Sequence, residues 1–442
     1  MEAYTIVIIL LALAIGLSPI AAKIHFPYPV LLLIVGIGVG FIPGFHAISV
    51  HPEVVFLLFL PPMLYDAACN IPFRDFKRNL PTISVLAITL VFVTTIGIAV
   101  AVHYCTGMSW ALSFVLGAIL SPPDAIAAAG VTKGLGLPHR TNIILEGESL
   151  VNDASALVAF RFATAAVAGS AFVPWKAGLF FMVALIGGFF VGWLLAHLFT
   201  WIAKKKLSGN VIVSLNLMLP FVAYLIAEEL HVSGVIATVA VGLIVSRHKS
   251  NLSETVVVQS KSVLDTIIFI LGGLVFILIG LAFPQVLKNI PDSQFLPLTG
   301  CSFLIFGIAL LIRMTLIFQH KHTLKQRYQA ITKRFERIEF IHKHFREDNR
   351  HAFDPDWNNF KSLLLTWKEA VIIGWSGMRG IVSLAAALSL PLVMADGDVF
   401  PQRDTIIFLT VAVVIIMLVV QGLGLPVLVR LLKMDKGDKS RQ

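Results

Sequence analysis

Glu148, Ser149, Asn152 and Asp153 stand together in GESLVNDASALVAF (147–160), a stretch otherwise apolar enough to lie inside a membrane. At about 100° per residue they share, with Ser155, one helical arc of roughly 160°. Leu150, Val151, Ala154 and Val158 occupy the other side. An ionised side chain at the centre of a span costs roughly 2.5–3.5 kcal/mol even on the lenient insertion scale. A polar arc of this kind must therefore face protein or a water-filled cavity. Asp153, about 5 Å from the middle of its run, has the properties of an ion carrier. Desolvation disfavours a charged carboxylate and brings its proton exchange towards cellular pH. Ringed by hydroxyl and carbonyl oxygens, the same group suits a hard cation. One site that accepts either a proton or a metal ion makes them competitors, and if it opens to either side only when occupied, competition becomes exchange.

The other ionisable residues within apolar runs are Asp66, Asp124, Glu148, Arg161, Arg313 and Arg379. Glu148, one turn before Asn152, needs a cation. Arg379, between the glycines of GWSGMRG, is the first choice and Arg313 the alternative, and such a pair is structural because two fixed opposite charges leave no net charge for an ion. Arg161 points away from the polar arc, near the end of its run, where it can snorkel to the interface. Asp66, in LPPMLYDAA, is placed either at the interface or near an ion path.

The elements that must hold these groups are membrane helices. The 442-residue chain is 57% hydrophobic and 13% charged, with a mean hydropathy of +0.87, against about a quarter charged in soluble domains. Apolar runs predict thirteen spans, at 4–22, 28–43, 53–69, 81–102, 109–131, 142–168, 177–202, 211–230, 232–247, 263–284, 296–318, 368–392 and 404–432. The opening run carries Glu2 and no Lys or Arg before its apolar core, and reads as a first span with the N-terminus outside rather than as a cleaved leader. Basic residues then gather on the inner side (Lys23; Arg74, Lys77, Arg78; Lys133, Arg140; Lys204 to Lys206; Arg247, Lys249, Lys261; Arg430 to Arg441), leaving Lys176, Lys288 and Arg403 outside. This places the C-terminus in the cytoplasm by the positive-inside rule. The net charge of +9 is written into topology in this way, which excludes a nucleic-acid-binding role.

Thirteen spans divide as six, one and six, and the odd middle span inverts the second six relative to the first. Spans two and nine are both short and contain glycine. Spans five and twelve are both interrupted, by Ser121-Pro122-Pro123 and by Gly374-Trp-Ser-Gly377-Met-Arg-Gly380. Interrupted helices at matching positions of two repeats point to a transporter's binding site, because unwound backbone frees carbonyls and helix ends near the midplane.

With those residues in place, GESLVNDASALVAF, LSPPDAIAAAGV, FLPPMLYDAA and GWSGMRGIVSLAAALSLP resemble, in order and position, the monovalent cation/proton antiporters of the sodium/proton exchanger type, over most of 1–318 and 366–432. The resemblance implies an all-α polytopic inner-membrane homodimer of two inverted six-helix repeats (1–170 and 211–432, joined by the helix at 177–202), with spans five and twelve crossing in a core. It implies Asp153 as carrier of Na⁺ or H⁺ with Asn152 beside it, and Asp124 and Ser149 as cation ligands. It also implies Asp66 near the cation path, Glu148 with Arg379 as an ion pair, and electroneutral one-for-one exchange without a cofactor. Two departures bear on ion choice: Pro123 stands where relatives often have Thr, and Gly272 where Asn often precedes GLVF. Li⁺ or K⁺ in place of Na⁺ stays open for that reason. A K⁺/H⁺ antiporter is the nearest rival function and a cation channel a more distant one. No Ser-Lys pair supports an intramembrane hydrolase.

Between spans eleven and twelve, 319–365 is basic and rich in histidine. Leu324, Tyr328, Ile331, Phe335, Ile338 and Phe345 follow a helical 3–4 spacing, which predicts an amphipathic helix lying on the inner leaflet, pairing with a dimer mate or packing under the core. Its histidines are candidate pH sensors; a zinc site at His342, His344 and His351 lacks a completing ligand. A short tail, 433–442, follows the last span. Cys69, Cys105 and Cys301 are widely spaced packing thiols.

Overall fold

The computed structural model describes residues 3–24, 26–42, 52–124, 137–169, 174–205, 207–249, 252–345, 364–394 and 398–434. Within them the chain is helical apart from one isolated antiparallel bridge, Val393 to Val399. The helices are α1 (Ala3–Ile24), α2 (Tyr28–Gly40), α3 (Pro52–Asn70), α4 (Phe73–Thr106), α5 (Trp110–Leu120), α6 (His139–Val167), α7 (Pro174–Ala203), α8 (Gly209–Glu229), α9 (Gly234–Arg247), α10 (Glu254–Lys288), α11 (Asp292–Phe345), α12 (Trp367–Trp375), α13 (Ile381–Leu388) and α14 (Arg403–Leu431). Eight of the described helices are long and apolar enough to cross a membrane, and α2, α5 and α9 are shorter apolar helices. The chain is thus a multi-pass membrane protein.

Local chemistry sets many of the boundaries. Ser109, Ser233 and Ser253 accept the N–H of Leu112, Ile236 and Val256 and so cap α5, α9 and α10. Gly107 closes α4 in the left-handed conformation at φ +68°. Thr366 and Glu369 form a reciprocal capping box at the start of α12.

Contacts are densest within two sets of helices, α1–α3 with α7–α10 and α4–α6 with α11–α14. One apolar cluster, including Tyr65, Val191, Phe199, Leu219 and Val241, lies within the first set. Another, including Leu86, Ile144, Ile317, Leu324 and Ile373, lies within the second. In the first set α2 packs backbone to backbone on α10, where a Cβ on Gly280 would overlap the Leu33 carbonyl and one on Gly36 the Ile277 carbonyl. Small residues let membrane helices pack backbone to backbone. Gly280→Val should therefore cost about 1–3 kcal/mol by overpacking and lower the melting temperature in detergent. Gly300→Val, on an open face of α11, should leave it unchanged.

One boundary differs from expectation. Span eleven was expected to end at 318, with a separate amphipathic helix after it. Instead α11 runs unbroken for 54 residues. The polar residues after 318 include no proline or glycine before Phe345, and nothing in them interrupts the backbone hydrogen bonding. The first part of this extension packs under the second helix set through Leu324, and His320 Nε2 lies 3.2 Å from Thr82 Oγ1. The expected role of His342, His344 and His351, the second half of span five and most of the tail lie outside the described residues or side chains.

Candidate functional site

The two interrupted spans meet. Proline lacks an N–H and clashes with the preceding turn, and α5 stops at Leu120, just before Ser121-Pro122-Pro123-Asp124, whereas α3 carries Pro61 and Pro62 without a break. The second break separates α12 from α13 at Ser376-Gly377-Met378-Arg379-Gly380. The unwound segments are joined directly, as Asp124 N–H donates to the Met378 carbonyl at 2.7 Å. Gly380 is required there: a Cβ would overlap the Asp124 carboxylate. Gly380→Ala should displace that carboxylate and reduce the apparent cation affinity at least tenfold while the protein still purifies as a folded species. Concentration-dependent transport rates together with a melting curve check this.

A broken helix leaves carbonyls without partners and a negative dipole end in apolar surroundings. One arginine answers each break. Arg379, 2% exposed, donates Nε to the Leu120 carbonyl at 2.8 Å, Nη2 to Ser121 at 3.4 Å and Nη1 to Gly377 at 2.6 Å, so it caps α5. Arg313 donates Nε to the Ile373 carbonyl at 3.1 Å and caps α12. Its Nη1 and Nη2 donate to Glu148 Oε1 and Oε2 at 2.5 and 2.8 Å, a bidentate pair in which both side chains are buried. The partner of Glu148 is therefore Arg313, the alternative, and not Arg379. All three donor nitrogens of Arg379 are turned to backbone carbonyls, whereas α11 packs along α12 and brings Arg313 across to α6.

Asn152 and Asp153 lie against this junction. Asn152 donates Nδ2 to the Pro123 carbonyl at 2.8 Å, while its buried Oδ1 has no hydrogen-bond partner among the described residues. Asp153 is 2% exposed and has Asp124, itself buried, as its electrostatic neighbour. Among the described residues it meets no cation and no hydrogen-bond donor. Ser149 is buried one turn before Asp153 on the same helix. The result is a buried group of oxygens in which Glu148 is neutralised and Asp153 is not. Such a set can hold a proton or a hard cation.

Asp66 is placed elsewhere. It takes Lys261 Nζ at 2.8 and 2.9 Å and Asn70 Nδ2 at 3.0 Å, and Lys261 also pairs with Asp265 at 2.8 Å. Glu146 shares this neighbourhood, with Lys261 and Asp66 among the charges acting on it. Glu146 escaped the sequence reading because it lies in the first turns of the span; its spacing of three and seven from Ser149 and Asp153, one helical face, was the available signal. Arg161, exposed, is paired with Glu228 at 2.6 Å, and Glu228 also accepts the Gly234 N–H.

A chain of apolar helices in which two unwound segments meet beside a buried carboxylate, unpaired among the described residues, has the architecture of a secondary transporter. It belongs to the sodium/hydrogen exchanger family, whose transmembrane model matches residues 6–431. An uncharacterized Na⁺/H⁺ exchanger of Mycobacterium tuberculosis is 32% identical over 92% of this chain and 70% of its own length. The sodium, potassium, lithium and rubidium/H⁺ antiporter of Bacillus pumilus is 33% identical over 97% of this chain and 61% of its own. The structure of the sodium proton antiporter MjNhaP1 from Methanocaldococcus jannaschii aligns over 99% of this chain and 100% of that one, with a TM-score of 0.72 at 18% identity, and so shares the fold.

Proposed function

We propose that the protein is a secondary antiporter that exchanges Na⁺, with Li⁺ as a further substrate, for H⁺ across the cell membrane, one for one. The observation that carries this reading is Asp153: a buried carboxylate with no fixed counter-charge among the described residues, beside the junction of the unwound segments. With Glu148 neutralised by Arg313, the Asp153 site changes by one charge when it takes a cation and by one when it takes a proton. Asp124, Ser149 and the orphaned Asn152 Oδ1 complete the oxygen set around Na⁺, and Asp66 with Glu146 lies on the approach. Loading of either ion relieves the buried charge and lets the site cross, so each crossing carries one or the other.

In this reading the thirteen spans form two inverted repeats, 1–170 and 211–432, with 177–202 between them, the N-terminus outside and the C-terminus in the cytoplasm. The short helices α2 and α9, of 13 and 14 residues, and the paired breaks support that division. A homodimer in the lipid bilayer, built through the α1–α3 and α7–α10 set, leaves the set that carries the site free to slide. The domains 319–365 and 433–442 face the cytoplasm.

The test is exchange in proteoliposomes with Na⁺, Li⁺ and K⁺ in turn, with and without a potential clamped by valinomycin in the K⁺-independent arms. Proton movement driven by Na⁺ and unaltered by membrane potential is expected. A K⁺ response equal to or above that for Na⁺ would favour the K⁺/H⁺ reading. An imposed potential that drives exchange would remove the one-for-one ratio, and conductance far above carrier turnover would favour a channel.

A further inference from the structure

A second polar feature lies at one end of the bundle, away from Asp153. The end of α3, the start of α4 and the end of α9 line an open cavity of about 650 Å³. Among the described residues its walls carry four cations, Arg74 and Lys77 on α4 and Arg247 and Lys249 at and just after the end of α9, and no carboxylate. None of the four is in an ion pair among the described residues, although the Arg247 guanidinium rests 5.5 Å from the centre of the Phe73 ring. Asp75, on the same turn as Arg74, is directed to His139, 3.6 Å away. Helix α4 starts at Phe73 with Pro72 as its cap and no side chain on its first N–H groups, so its positive end adds to the field. Asn70 lines the cavity as well and donates to Asp66.

Four like charges around an open cavity repel one another, and a polyvalent anion removes that repulsion. Guanidinium and ammonium groups converging from two sides suit the oxygens of a phosphate, through forked contacts from arginine and point charges from lysine. Basic pockets between membrane helices accept phosphate headgroups on the same grounds. We infer that this cavity is a binding site for a phosphate-bearing anion, held between α4 on one side and the end of α9 on the other. Its occupant ties together the two helix sets, whose direct contacts are sparser than those within each.

The experiment is the thermal unfolding of the full chain in neutral detergent. It is titrated with inorganic pyrophosphate, with phosphatidylglycerol and with phosphatidylcholine as the uncharged control, and compared with a variant carrying R74Q, K77Q, R247Q and K249Q. All four positions are exposed, so the variant is expected to fold. A second variant replaces Lys204, Lys205, Arg430 and Lys433, other exposed cations, with Gln. The wild type and the second variant should be stabilised by the anion, and the cavity variant should bind about fivefold more weakly for each cation removed. Stabilisation by phosphatidylglycerol alone identifies a lipid headgroup, and stabilisation by pyrophosphate as well identifies a site open to soluble phosphate. Equal stabilisation of the cavity variant and the wild type, or no stabilisation by either anion, overturns the inference. The measurement uses no ion gradient, so its outcome is separate from that of the exchange assay.

Discussion

Asp153→Asn should abolish cation-driven proton movement in proteoliposomes while leaving the protein as stable as the wild type or more so. Asparagine keeps the size and polarity of the side chain but loses the charge. At about 4 Å and an effective dielectric of about 20, that charge is worth about 4 kcal/mol to a bound cation, roughly a thousandfold in affinity. It also removes the proton that the other half of the cycle carries. Stability should not fall, because the Asp153 carboxylate makes no hydrogen bond or ion pair among the described residues and a neutral amide is cheaper to bury. Exchange at the wild-type rate in this variant would exclude Asp153 as the carrier. Loss of exchange together with loss of the folded protein would assign it a structural role instead.

Glu148→Ala should have the opposite profile, with its main effect on folding. It leaves the Arg313 guanidinium charged, 1% exposed and without its carboxylate. Breaking one side of a buried pair costs about 3–5 kcal/mol, a large share of the stability of a typical domain. The melting temperature in detergent should fall sharply and the yield with it. Replacing both partners, Glu148→Leu with Arg313→Met, removes the uncompensated charge and should recover most of the loss, less what the Ile373 carbonyl forfeits. The same design tests the pairing. A double-mutant cycle between Glu148 and Arg313 should show strong coupling, and one between Glu148 and Arg379 much weaker coupling. The reverse result would restore Arg379 as the partner.

The sequence discloses the parts of this site that depend on spacing along one helix. The face holding Glu148, Ser149, Asn152 and Asp153 follows from the period of the helix, and the breaks at Pro122-Pro123 and Gly377 to Gly380 follow from what proline and glycine do to hydrogen bonding. It does not disclose which neighbour each face meets. Arg379 and Arg313 are both buried cations in apolar runs, and the choice between them rests on how α11 rotates against α12, which no single helix encodes. Lys261 and Glu228 were obscured for another reason. Charges near span ends read as topology, although here they hold Asp66 and Arg161. The continuation of the helix past span eleven was not legible because a change from apolar to amphipathic composition marks where a helix leaves its apolar surroundings, which need not be where it ends.

That last point has a mechanical side. Arg313 and Phe345 belong to one unbroken helix, and the stretch beyond Arg313 is about 48 Å long at 1.5 Å per residue. A tilt of about 5° at Arg313 would swing the far tip by roughly 4 Å over such a length. The helix that neutralises Glu148 is therefore also a pointer, and a pair of spin labels, one near its tip and one on α8, would register motions at the Glu148–Arg313 pair that are too small to see where they occur.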